Sequence, residues 1–340
     1  MVSSDQINDL TSMGTDRYVH DLSVVIVSFN TRAVLRRCLE ELEIEGEGLS
    51  MEVLLVDNGS RDGSAEMVAT DFPYVRLIES GTNLGFAAAN NRMFTQARGR
   101  YVVLLNSDAF LRPGALRRAK QRMDADPETA LAGGRLTGED GSWQPSARMF
   151  PSLLNEFLSM SGLAHRYRES RFWGRADRAW ADPMTSTETD WVPGAFSILR
   201  HSVLDQMGGF DEAFFLYYEE VDLSRKIKGA GYKIQYWADV VVVHLGGESS
   251  KSMPNVARSS SGAQLTLWRL RSAYLYYRKH HGHAAWFSMA MEYCWHGLRL
   301  MRNRLAGKQE KAAESRATMS LIRQAWRDTQ GGRISPPRPW

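Results

Sequence analysis

The sequence predicts an α/β protein: a mainly parallel sheet with helices on both faces, followed by a helical C-terminal extension. Three observations predict it. Short, continuous apolar runs rich in β-branched residues recur through the first part of the chain; helical periodicity separates them; and from Gly262 the chain turns to basic, aromatic helical stretches. The 340 residues, 43% hydrophobic and 24% charged, suit one large domain with an appendage and exclude wholesale disorder, collagen and coiled-coil arrays. Two cysteines, Cys38 and Cys294, exclude a disulfide framework and a cysteine-based zinc site, so a reducing, cytoplasmic compartment is expected. No apolar run reaches the roughly 20 residues of a membrane span. Ala284 to Met301 comes nearest and is interrupted by Glu292, His296 and Arg299. Residues 1–20 are polar, without an apolar signal core, and are expected to be a flexible leader.

Leu22 to Ser28 (LSVVIVS) has the pattern of a strand buried on both faces. Val34, Leu35, Cys38, Leu39 and Leu42 then recur at spacings of three and four, as on a helix. Val53 to Val56 is a second buried strand, Val75 to Ile78 a third, Leu84 to Ala97 a helix, and Tyr101 to Leu105 a fourth strand. Trp143 to Asp190 reads as long loops with one or two short helices. Order returns with a strand through Leu199, a helix to Met207, and a helix over Glu219 to Lys228 that a glycine ends. Tyr232 to Trp237 and Asp239 to Val243 are further strands, the second ending in His244.

In open sheets of this kind ligands sit outside the carboxyl ends of the strands. Those ends are polar here: Ser28-Phe29-Asn30, Asp57-Asn58-Gly59-Ser60 and Asn106-Ser107-Asp108. One strand-end Asp simply starts a turn, but three polar ends on one edge point to a site. Gly81-Thr82-Asn83-Leu84-Gly85-Phe86 is not a G-x-G-x-x-G fingerprint, and no acidic residue follows at the ribose-binding spacing, which disfavours a nicotinamide or flavin domain. Asn83 is placed to cap the next helix, and Gly85 to admit a close backbone or ligand. Glu219, Glu220 and Asp222 crowd one helix start, where the dipole favours carboxylates; the alternative is a general base at a pocket rim. His244 is either a satisfied edge residue or a ligand. With Asp108 it would hold Mg²⁺ or Mn²⁺ together with phosphate oxygens.

Together these segments resemble family 2 glycosyltransferases of the GT-A fold, and within them the rhamnosyltransferase-like enzymes of bacterial surface polysaccharide synthesis. The resemblance covers Leu22 to Gly247. VVIVSFN resembles the family's first strand and nucleotide-binding loop, implicating Ser28 and Asn30; VDNGSRDGS resembles its second, whose Asp, here Asp57, contacts the nucleobase. GTNLGFAAANN implicates Asn83 and Gly85 beside the donor. LLNSDAF stands where the family has D-x-D, with Asn106 in the first acidic position and Asp108 as the metal-binding carboxylate. GGFDEAFFLYYEEVDLSRK resembles the segment that carries the catalytic base, here Glu220 where the family commonly has Asp. Asp222 and Arg225 would orient that base or bind diphosphate, and His244 would complete the metal site. Trp191, Gly194, Ala195 and Glu219 would border the acceptor. The resemblance implies an inverting, metal-dependent transfer of a sugar, with dTDP-rhamnose the leading donor and UDP-sugars the next, to a glycan or lipid-linked hydroxyl. It divides the chain into a glycosyltransferase domain at 21–250, with a nucleotide-binding half (21–135) and an acceptor and catalytic-base half (136–250), then a helical extension at 262–330 and a flexible tail at 331–340.

The net charge of +3 conceals an asymmetry: from Gly262 to Trp340 there are 14 Lys and Arg against 4 Asp and Glu. Trp268, Tyr274, Tyr276, Tyr277, Trp286, Phe287, Tyr293 and Trp295 lie among these charges. That composition suits peripheral contact with an anionic membrane surface; the alternative is a helical pair packed on the catalytic domain. Nucleic acid is not expected, because no RNA-recognition motif accompanies the charge. Two rivals stand beside the transferase reading. A sugar nucleotidyltransferase would need a Gly- and Lys-containing first loop, which SFNTRA lacks. An inactive nucleotide-sugar-binding subunit would account for Asn106.

Overall fold

The computed structural model describes residues 18–246 and 258–337. The expected leader falls almost wholly outside the described residues. In chain order, β1 (His20–Ser28), α1 (Arg32–Gly46), β2 (Met51–Asp57), α2 (Ser64–Asp71), β3 (Val75–Glu79), α3 (Phe86–Phe94) and β4 (Gly99–Asn106) alternate as the apolar runs predict. They are followed by β5 (Ala109–Leu111), α4 (Ala115–Ala125), β6 (Thr129–Thr137), β7 (Trp143–Gln144), α5 (Leu153–Met160) and α6 (Leu163–Arg166). Next come β8 (Thr187–Glu188), β9 (Phe196–Arg200), α7 (His201–Met207), α8 (Glu219–Gly229) and β10 (Lys233–His244). Three long helices close the described chain: α9 (Arg258–His281), α10 (Ala284–Leu305) and α11 (Gln309–Asp328).

The strands form one sheet in the order β3-β2-β1-β4-β9-β6-β10-β5, with β7 paired to β6 and β8 to β10. β3, β2, β1 and β4 are mutually parallel, as are β6 and β10, while β9 runs antiparallel to both β4 and β6. One reversed strand between the two sets leaves β6 and β10 pointing the same way as β4. The carboxyl ends of β1, β2, β4, β6 and β10 therefore share one sheet edge. Strand periodicity sends Leu22, Val24 and Ile26 to the face covered by Leu35, Leu39 and Leu42 of α1. Val25, Leu54 and Val56 point the other way, into a second core that includes Ala89 and Met93 of α3 and, further along the sheet, Leu223 and Ile227 of α8.

The sequence reading contains neither α4 nor β6. The strand TALAGGRLT is obscured by two glycines that close packing demands: a Cβ on Gly133 would lie 2.7 Å from Val192 Cβ, and one on Gly134 2.5 Å from the Val240 carbonyl oxygen. The two strands expected over 232–243 are one, with a register shift between Trp237 and Val241.

The described residues divide into two compact units, 18–150 with 181–211 and 220–246, and 151–180 with 212–219 and 258–337. The division is not the linear one expected near residue 250, since two earlier segments group with the C-terminal helices. In the second unit Leu267, Leu270 and Tyr274 of α9 pack on Ile322 and Ala325 of α11. Trp268, Tyr274, Tyr276 and Tyr277, expected at a membrane surface, are buried in this unit; Trp286 and Phe287 are exposed. Residues 331–337 differ from the loose tail expected. Gly331 and Gly332 take positive φ, and a Cβ on Gly332 would lie 2.2 Å from the Tyr274 carbonyl oxygen, so the chain turns tightly onto α9. Thr329 Oγ1 accepts from Gly332 N at 3.1 Å, and Ser335 Oγ donates to Ala213 O at 2.7 Å.

Candidate active site

Two clusters occupy the shared carboxyl edge. The first joins the loops after β1, β2 and β3. Asp57 ends β2 and is buried; its Oδ2 accepts from Ser60 N at 2.9 Å, while Oδ1 is buried with no hydrogen-bond partner among the described residues. A buried carboxylate oxygen left unpaired costs roughly 1–3 kcal/mol or more, so this atom calls for a donor from a ligand. Asn58 ties the loops together: Oδ1 accepts from Leu84 N at 2.8 Å, and Nδ2 donates to Asn83 Oδ1 at 3.0 Å and Gly85 O at 3.3 Å. Asn83 Oδ1 also accepts from Gly85 N at 2.9 Å, and Gly85, with φ +84, occupies the N-cap position expected for Asn83. Asn30, itself at φ +52, receives Arg61 N on Oδ1 at 2.7 Å and donates its own N–H to Ser60 Oγ at 2.9 Å. Ser28 differs from its neighbours: its hydroxyl is fully buried in a chain through Thr31 to Ser107, so it braces the strand ends against one another.

The second cluster joins β4, β7 and β10. Asn106 N donates to Ala195 O at 3.0 Å, which holds the end of β4 against the segment before β9. Asp108, two residues on, brings Oδ1 to 3.5 Å from His244 Nε2. The other imidazole nitrogen, Nδ1, lies 3.1 Å from Gln144 Oε1, and Gln144 Nε2 donates to His244 O at 2.7 Å. The second bond fixes which end of the amide faces the ring. Gln144 Oε1 only accepts, so Nδ1 carries a proton, and Nε2 is the nitrogen that faces the carboxylate oxygen. A carboxylate oxygen and an imidazole nitrogen so placed are donor types that divalent metals take, and the residues fit such an ion. Among the described residues no group of three or more His, Cys, Asp or Glu forms a metal site, and Asp108 with His244 is the pair they bring together at this edge.

The turn at Ala230–Gly231 reverses the chain from α8 into β10, so α8 runs antiparallel to β10. Glu220 stands in the first turn of this helix. Asp222 is fully buried and pairs with Lys226 at 3.5 Å; the Arg225 guanidinium lies 4.8 Å from the centre of the Phe150 ring. Trp191 Nε1 donates to Met149 O at 2.9 Å, Gly194 lies against Phe86, and Ala195 is buried.

In the second unit Glu219 is buried, and the two residues before it, Tyr217 and Tyr218, hold φ of 70° and 71°. Such left-handed residues cost about 1–2 kcal/mol each and persist only where surroundings hold them. Tyr218 OH donates to Glu156 Oε1 at 2.9 Å, Ser288 Oγ to Glu156 Oε2 at 3.2 Å, and Ser272 Oγ to Leu216 O at 2.8 Å. Burial, and then the charge of Glu292, push the Glu156 carboxyl above the usual carboxylate range. Sequence reasoning missed Asn58, Gln144 and Glu156. Asn58 adjoins Asp57 in the polar strand end, but nothing local marks Gln144, a hundred residues from the histidine it orients.

The model of the family described as Glycosyl transferase family 2 matches residues 23–208. An N-acetylglucosaminyl-diphospho-decaprenol L-rhamnosyltransferase of Mycobacterium tuberculosis is 27% identical over 312 residues, covering 88% of this chain and 97% of the relative. Among solved structures, the mannosyltransferase PcManGT from Pyrobaculum calidifontis in complex with GDP-Man and Mn²⁺ aligns over 96% of this chain and 92% of its own, with a TM-score of 0.53 and 16% identity. GalNAc-T7 with UDP, GalNAc and Mn²⁺ reaches the same TM-score at 14% identity over 78% of this chain, which spans half of that one. At such identities the likeness establishes the fold, GT-A. The family match covers more than half of the chain, and the protein belongs to glycosyl transferase family 2 and is a glycosyltransferase.

Proposed function

We propose that the protein is an inverting, metal-dependent transferase that moves a sugar, with rhamnose from dTDP-rhamnose the leading donor and a UDP-sugar the next, to a hydroxyl of a lipid-linked glycan in surface polysaccharide synthesis. The observation that carries this reading is the facing pair, Asp108 Oδ1 and His244 Nε2, 3.5 Å apart with Nδ1 turned to Gln144. Asp57 Oδ1 is free to accept from a nucleobase N–H, the Asn58 bracket holds Asn83 and Gly85 beside the donor, and Ser60 and Arg61 hold Asn30 there. A divalent cation, when bound, stabilises the negative charge that develops on the departing diphosphate. Glu220 takes the proton of the acceptor hydroxyl as its oxygen attacks the anomeric carbon. The new C–O bond forms as the bond to the diphosphate breaks on the opposite side, so the configuration inverts. Trp191, Gly194 and Ala195 border the acceptor. The mycobacterial relative, by its name, acts on N-acetylglucosaminyl-diphospho-decaprenol, which supports a lipid-linked acceptor.

The test is transfer from dTDP-rhamnose and a panel of UDP-sugars, with Mn²⁺, to a short-chain N-acetylglucosaminyl-diphospho-lipid. The anomeric configuration of the product is read by NMR. Inverted rhamnoside is expected. A retained configuration, or turnover unaffected by chelation, would refute the mechanism; transfer of another sugar only would correct the donor.

A further inference from the structure

The C-terminal helices carry a surface that the transfer chemistry does not use. Phe287, Cys294, Leu298, Met301 and Leu305 recur on α10 at spacings of seven, four, three and four, so they fall on one face, and all are exposed, Leu305 at 84%. This stripe runs about 27 Å along the helix. Trp286 stands beside its first residue, ring centres 5.0 Å apart, and is 53% exposed. Trp286 also lines a cavity of about 500 Å³, together with Arg278, His283, Trp326, Arg327 and Arg333. None of its lining residues is acidic. The nearest carboxylate in sequence, Asp328, is taken by Arg271, so the three guanidinium groups have no carboxylate partner among the described residues.

The fold builds this cavity deliberately. Arg333 reaches it because Gly331 and Gly332 turn the chain back after α11. Gly332 packs so closely on α9 that a Cβ would lie 2.9 Å from Arg278 Cβ. A pocket of unpaired arginines rimmed by tryptophan suits a phosphate group, and the apolar stripe beginning at its rim suits hydrocarbon. The charge of the whole segment, 14 basic against 4 acidic residues from Gly262 onward, selects an anionic surface.

We propose that this face of the helical unit docks on an anionic phospholipid bilayer, the α10 stripe entering the headgroup boundary while the arginine pocket takes a lipid phosphate. The proposal deepens the reading above, on which the acceptor is lipid-linked, by naming the residues that bring the enzyme to that acceptor.

The test is co-sedimentation of the full chain with phosphatidylglycerol and phosphatidylcholine vesicles at physiological salt. Its variants are Arg327→Gln with Arg333→Gln, and Leu298→Ser with Leu305→Ser, all at exposed positions. Binding to phosphatidylglycerol alone is expected. Each basic residue near an anionic surface is worth about fivefold, so the arginine pair should lose about 25-fold; the leucine pair should lose binding as well. Both variants should keep parental turnover on a water-soluble acceptor. Absence of turnover in every form would strike the transferase reading and leave the vesicle result standing. Equal binding to both lipids, or unchanged binding by the variants, would overturn the docking proposal. So would a dimer that the leucine substitutions dissociate without any vesicle binding, or calorimetric binding of inorganic diphosphate to the arginine pocket in a chain that ignores vesicles.

Discussion

Replacing Gln144 by Leu removes the two bonds that orient His244 and leaves both metal-facing atoms in place. Its Oε1 lies 3.1 Å from Nδ1 and accepts its proton, and its Nε2 donates to the His244 carbonyl at 2.7 Å. Without the acceptor the ring is free to move its proton to Nε2, where it donates to Asp108 and closes the lone pair to a cation. Partners of this kind behind a metal-bound histidine contribute 10- to 100-fold in metal affinity, about 1.4–2.7 kcal/mol. The backbone anchor adds about 1 kcal/mol of stability, a fall in Tm of about 2–4 °C. The assay is initial transfer rate against Mn²⁺ concentration. The apparent metal constant should rise 10- to 100-fold, with the rate at saturating metal near parental. Gln144→Glu still accepts from Nδ1 but cannot donate to the His244 carbonyl, so it should lose less metal affinity than the Leu variant while losing the anchor's stability. A folded Leu variant with the parental metal constant would refute the tautomer argument.

Three further outcomes are expected. Glu220→Gln should lower transfer at least about hundredfold, with donor binding by thermal shift retained; near-parental turnover would remove Glu220 from the mechanism. Gly134→Ala places a methyl 2.5 Å from the Val240 carbonyl and should cost about 1–3 kcal/mol or more in urea unfolding, and an unchanged midpoint would contradict the packing of β6 on β10. The raised carboxyl of Glu156 contributes stability that is fully present below the ordinary glutamate value and is lost as pH rises through the raised one. The Tm of Glu156→Gln relative to the parent should therefore increase from about pH 4 upward, and a difference flat across pH 4–8 would show no shift at this group.

Strand ends were legible wherever a buried strand runs into a polar triplet, because burial on both faces leaves an unbroken apolar word such as VLLV in the sequence. β6 was not legible, because Gly133 and Gly134 answer to Val192 and Val240, residues remote in sequence whose proximity exists only in the fold. Asp108 and His244 could be named singly, but their pairing depends on β5 lying against β10, where Ala109 is opposite His244. The aromatic tail was legible only in part, for a related reason. Trp268, Tyr274, Tyr276 and Tyr277 share the composition of an interfacial helix, yet packing turns them inward and leaves Trp286 and Phe287 outside. Composition alone does not say which face of a helix is covered.

The substitution of Asn106 for an acid has a consequence for the order of binding. Among the described residues one carboxylate and one imidazole face a divalent ion, whereas a six-coordinate site takes further ligands from water or from phosphate oxygens. Metal affinity should then be weak without nucleotide and rise when a diphosphate supplies oxygens and negative charge. Linkage makes the effect reciprocal, so Mn²⁺ must raise nucleotide affinity by the same factor. Thermal shift measures both arms. Mn²⁺ alone at 1 mM should leave Tm nearly unchanged, and UDP or dTDP alone should shift it slightly. The two together should exceed the sum of the separate shifts, because each ligand's term grows with its own affinity. Asn106→Asp should strengthen the metal-only shift and thereby reduce the mutual dependence. Additive shifts in the parent protein would mean that the ion does not sit between Asp108, His244 and the diphosphate.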